Sequence, residues 1–88
     1  MELLKPNNIE TKKAMHVMYD LKDDLSMSSR FLYFTLMAIG ENQKITQDEL
    51  TEITNLSMVT IVRSIRELKD HNLIIVKRSQ RGAFYKVL

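Results

Sequence analysis

The sequence predicts a mainly α-helical chain closed by a small β-hairpin, an α+β class, on three observations. Apolar residues recur at helical spacing over residues 26–39, 45–56 and 57–72. Each of these segments has a Ser or Thr at or near its start, where a hydroxyl caps the first free amides of a helix. Residues 73–88 then switch to β-branched and alternating side chains on either side of Ser79-Gln80-Arg81-Gly82.

Residues 1–25 form an N-terminal extension to a domain of residues 26–88. Its first part is polar, and Pro6-Asn7-Asn8 interrupts regular structure. From Met15 to Leu21, apolar Met15, Val17, Tyr19 and Leu21 alternate with His16, Met18 and Asp20. That period of two predicts a short strand, while a helical turn beginning near Glu10 accommodates the same residues. Lys22-Asp23-Asp24 reads as a turn.

Ser26 caps a helix that Gly40 ends, with Leu32, Leu36 and Ile39 as its core stripe. Phe31, Phe34 and Met37 point elsewhere, so this helix is apolar around more than half its circumference. The N-terminal segment or a second subunit is expected to cover that second face. Next, Thr46-Gln47-Asp48-Glu49 is a capping box, and Ile45 with Leu50 is the matching hydrophobic staple. Leu50 and Ile53 face the core, and the helix closes at Asn55. Ser57 caps the following helix, where Ile61, Ile65 and Leu68 share one face and Asn72 suits a left-handed end. Leu73-Ile74-Ile75-Val76 is a strand, and residues 83–88 return beside it after the glycine-containing turn.

Charge divides the chain. Residues 1–56 hold six Lys/Arg and nine Asp/Glu, a net of −3, whereas residues 57–88 hold seven Lys/Arg and two acids, a net of +5. A basic C-terminal third suits a polyanionic partner. Cysteine is absent, which fits a reducing, cytoplasmic setting, and no apolar run approaches the ~20 residues that span a bilayer. The opening residues lack the pattern of a signal peptide. Catalysis is not expected. His16 and His71 have no metal-ligand spacing, Asp23-Asp24 sits in a turn, and there is no Gly-rich phosphate loop. No cofactor, metal or small-molecule ligand is evident.

The order helix, helix, turn, helix, hairpin, together with the stretch ITQDELTEITNLSMVTIVRSIRELKDHNLIIVKR, resembles the winged helix-turn-helix fold. The likeness covers residues 45–87, about half the chain. It is greatest to the DNA-binding portion of catabolite-activator-type bacterial regulators, and similar patterns occur in plasmid and phage replication initiators. The resemblance implies a third helix in the major groove and a wing on the DNA backbone or minor groove. It would place base contacts at Met58, Val59 and Arg63. That family commonly carries charge at the first two of these positions, where this chain is apolar.

The residues agree with such a role on their own chemistry. Opposite Ile61, Ile65 and Leu68 the helix presents Val59, Arg63 and Arg66, flanked by Met58, Thr60 and Val62. Arg63 can grip guanine O6 and N7 with both arms, and Met58 and Val59 offer apolar contact to a thymine methyl. Ser57 and Thr60 suit phosphate oxygens, as do Arg66 and Lys69 further along. On a plain surface helix Arg63 instead pairs with Glu67 at i,i+4. In the hairpin, Lys77, Arg78 and Arg81 cluster at a turn whose geometry needs no charge, and Arg81 stands at the tip. The expected partner is therefore double-stranded DNA, bound by a small transcriptional regulator. A homodimer through Phe31, Phe34 and Met37 implies half-sites ~10 bp, or a multiple, apart. The alternatives are an accessory protein-interaction module of a plasmid, phage or mobile-element replication complex, and single-stranded DNA stacked on Phe84 or Tyr85.

Overall fold

The computed structural model describes residues 3–88. Helix α1 (Thr11–Met15) follows a 3-10 turn at Pro6–Asn8 and widens into a π-type turn at His16–Asp20. Three further helices follow: α2 (Met27–Ile39), α3 (Gln47–Thr54) and α4 (Met58–Asp70). Strands β1 (Ile74–Ser79) and β2 (Gly82–Val87) close the chain as an antiparallel hairpin. The architecture is thus mainly helical with one small sheet, the α+β class expected.

Of the two readings open for residues 15–21, strand or a helix beginning near Glu10, the helix forms. Ala14 and Val17 are buried and Leu21 is half-buried, a three-then-four spacing that lies along one helical face. Alternation and helix share Val17 and Leu21. Ala14, which alternation leaves out, completes the helical stripe, and Met15 and Tyr19 are left exposed.

Helix α2 is the centre of the core. Its Leu32, Tyr33 and Leu36 pack with Ile61, Ile65 and Leu68 of α4, Leu50 of α3, and Ile74, Ala83 and Tyr85 of the hairpin. Each fully buried Leu or Ile contributes roughly 1.5–3 kcal/mol relative to exposure. Val17 and Leu25 belong to the same cluster, with Leu3, Ile9 and Leu21 packed against it, so the N-terminal extension is part of the core. It also secures the far end of α2, since the Lys5 amide and the Asn8 side-chain amide both donate to the Ala38 carbonyl at 2.9 Å. That carbonyl is among those a helix leaves without an internal partner.

Met37 corrects the expected interface. It is 2% exposed, and its sulfur accepts the Glu10 amide at 3.2 Å. The extension covers this side of α2, and Met37 is a core residue. Phe31 and Phe34 remain on the surface, 45% and 38% exposed.

The local end signals of α3 and α4 appear as the sequence indicates. The Glu49 amide donates to Thr46 Oγ1 at 3.0 Å, and the Glu49 carboxylate accepts the Thr46 amide at 2.9 Å. Asn55 is left-handed at φ 60°, and Ser57 Oγ accepts the Thr60 amide at 3.2 Å. Helix α4 ends at Asp70, and Asn72 takes the left-handed position at φ 57°.

The hairpin is tied to the entrance of α3. Ile45 and Ala83 exchange two backbone hydrogen bonds of 2.9 Å, adding a one-residue third strand beside β2. Gly82 permits this approach: it sits at φ 151°, and a Cβ there would lie 3.0 Å from the Ile45 carbonyl oxygen.

Candidate nucleic-acid interface

Burial of Ile61, Ser64, Ile65 and Leu68 fixes which side of α4 meets solvent. At 3.6 residues per turn, Val59, Arg63 and Arg66 stand diametrically outward, with Val62 and Lys69 along one flank. All five are exposed. Val59 is 74% exposed and Val62 39%.

The acid four residues after Arg63 is turned away from the ridge, while Asp70 lies at its far end. Glu67 lies four residues after Arg63, yet the i,i+4 ion pair of the plain-surface alternative does not form. Instead Glu67 Oε1 accepts the Ser26 amide at 2.9 Å and the Ser26 hydroxyl at 3.2 Å. The Ser29 hydroxyl and the Ser26 amide hold the Glu67 carboxyl below the usual glutamate range. Among the described residues, the close contacts between basic and acidic side chains are the Lys13–Glu10 ion pair and the His16–Asp20 hydrogen bond. Neither uses a cation of α4 or the hairpin.

Ser57 and Thr60 divide their roles. Ser57 Oγ accepts the Thr60 amide and donates to Thr60 Oγ1 at 2.9 Å, so it is occupied by the cap. Thr60 keeps its hydroxyl proton for an external acceptor.

The first turn of α4 and the hairpin tip share one groove of about 430 Å³. Met58, Arg78 and Arg81 line it, opposite Thr46, Gln47 and Asp48 at the start of α3. Met58 therefore lies on the hairpin side of α4, and Val62, one turn later, continues the same flank between Met58 and the outward ridge. The groove brings Arg78 and Arg81 to the same edge as α4, while Lys77 is exposed on β1. Arg81 occupies the hairpin tip at φ 62°, a left-handed conformation uncommon outside glycine. Lys44 reaches across to donate to the Gln80 carbonyl at 3.2 Å. Gln47 and Lys44 were not legible as neighbours of the tip. Their placement depends on the Ile45–Ala83 pairing, which no short-range pattern in the sequence announces.

The aromatic residues of β2 do not form an open stacking platform. Tyr85 is 3% exposed, with burial pushing its phenol above the usual tyrosine range, and Phe84 is half-buried. A second, apolar groove of about 430 Å³ lies on the opposite side of α2, lined by Leu4, Ile9, Phe31, Phe34, Ala38 and Ile53. Among the described residues, no helix is long and apolar enough to cross a membrane, and no group of His, Cys, Asp or Glu could hold a metal ion.

No protein-family model, curated protein or solved structure matches this chain.

Proposed function

We propose that the chain is a winged helix-turn-helix that binds double-stranded DNA as a small regulator. Helix α4 occupies the major groove, and residues 77–82 lie on the adjoining backbone or minor groove. The observation that carries this proposal is the cationic ridge of α4, where Arg63, Arg66 and Lys69 stand exposed with Asp70 as the one acid beside them, Glu67 being turned to Ser26. The groove shared by Met58, Arg78 and Arg81 supports it, since it sets hairpin cations beside the first turn of α4. In this arrangement Arg63 contacts guanine, whereas Thr60, Arg66, Lys69, Lys77, Arg78 and Arg81 contact phosphates.

Titrating random-sequence duplex and single-stranded oligonucleotides at ~50 and ~200 mM salt tests the proposal. Duplex binding should fall steeply with salt. Arg63→Ala should lose roughly 1–3 kcal/mol on a guanine-containing site. Arg81→Ala should lower the salt slope by about one. No duplex binding at low salt would sink the proposal.

A protein-docking role, as an accessory subunit of a replication complex or through a second copy of this chain, is favoured by the apolar groove at Phe31 and Phe34. Light scattering at micromolar concentration separates the self-association version from a monomer.

A further inference from the structure

We propose that Val59 and Val62 read pyrimidine 5-methyl groups in the major groove, so that the DNA bound by α4 is selected for neighbouring thymines. The inference rests on the duplex-binding proposal above and adds to it the chemical feature that is recognised.

Val59 is the most exposed large apolar side chain of α4, and Val62 is exposed beside it. Neither contributes to the buried cluster that holds the helix in place. Cations border the pair. Arg63 and Arg66 continue the ridge, Lys69 continues the flank, and the first turn of α4 has no acid. Asp70, at the far end of the helix, is the one acidic side chain on the exposed face outside the Glu67–Ser26 contact. An apolar spot bordered on one side by positive charge suits a surface that sets apolar groups beside anions. The major groove of duplex DNA is such a surface, with thymine methyls as its exposed apolar groups and phosphates along both rims.

The spacing agrees. Residues three apart on a helix rise ~4.5 Å along its axis, a little more than one ~3.4 Å base step. Val59 and Val62 thus address adjacent steps when the helix lies along the groove. Valine also suits the task physically, because its branched side chain is nearly fixed in a helix and presents its methyls with little rotamer freedom to lose. Met58, which sequence alone offered as a second apolar reader, lies in the groove facing the hairpin.

The test compares a short duplex of alternating dA and dT with the same duplex carrying dU in place of every dT. The two differ only in the 5-methyl group. Removing one buried methyl corresponds to about a 4-fold loss of affinity, so two contacts predict roughly 15-fold tighter binding to the dT duplex. The double variant Val59→Ala, Val62→Ala should bind both duplexes equally while keeping the parent's salt dependence. Its circular dichroism should match the parent's, since both side chains are exposed. Equal binding of the parent to both duplexes overturns the methyl readout and leaves the DNA proposal standing. A dT preference that persists in the double variant overturns it as well, assigning the preference to other residues or to DNA shape. Failure to bind either duplex at low salt overturns the methyl readout, and failure to bind random-sequence duplex as well overturns the DNA proposal.

Discussion

The carboxylate of Glu67, on α4, accepts the backbone amide of Ser26 at 2.9 Å across 41 positions of chain. One contact serves two purposes. It places negative charge at the positive end of α2, and it removes the acid that would neutralise Arg63 at i,i+4.

Acid should weaken the fold through this contact. The Glu67 pKa is lowered in the folded protein, by hydrogen bonds from Ser29 and Ser26. A depressed carboxyl stabilises the fold above the usual glutamate range, and that contribution disappears as pH falls through the folded-state value. Glu67→Gln should cost about 0.5–1 kcal/mol at neutral pH and flatten the acid limb of stability. Thermal melts of both proteins from pH 7 to pH 3 check this. An unchanged acid limb in the variant would show that Glu67 is not its source.

Arg81→Gly should separate folding from binding. Arg81 stands at φ 62°, where an L-residue costs roughly 1–2 kcal/mol and glycine costs little. Relief at the tip is partly offset by the looser unfolded chain that glycine brings. The melting temperature should therefore hold or rise, while duplex affinity falls along with the salt slope. A clear drop in melting temperature would mean that the arginine side chain supports the hairpin.

Ser64 offers a third check. Its hydroxyl is buried on the core face of α4 and has no hydrogen-bond partner among the described residues. Replacing it with alanine removes an unsatisfied polar group and raises helix propensity, so Ser64→Ala should stabilise by about 1 kcal/mol. The midpoint of urea unfolding should rise with an unchanged slope. DNA binding should stay as in the parent, because Ser64 faces away from the ridge.

What sequence revealed, and what it hid, follows the range of each interaction. The Thr46–Glu49 box and the Asn55 and Asn72 ends were legible because each is settled within a few residues by hydrogen bonding and backbone preference. The burial of Ile61, Ile65 and Leu68 was legible from spacing. Met37 was not, since its burial depends on Glu10 and the extension arriving from elsewhere in the chain. The Glu67–Ser26 contact was hidden for the same reason: i,i+4 logic nominated Arg63 as the local partner, and a distant helix end prevailed. Within the candidate site, the outward face of α4 could be drawn from periodicity, whereas the side toward the hairpin could not. That left Met58 and Val62 unassigned between ridge and groove.

The two hydrogen bonds between Ile45 and Ala83 have a consequence for kinetics. With β2 stitched to the entrance of α3, and Gly82 leaving no room for a side chain at the seam, the hairpin is held against the start of α3, which forms one wall of the groove beside Met58. A partner docking there meets a preorganised cleft rather than a flap that must first close. Little ordering entropy would then be left to the encounter, and the association rate of an anionic partner would be set largely by steering toward Arg78 and Arg81 on the hairpin side of the cleft.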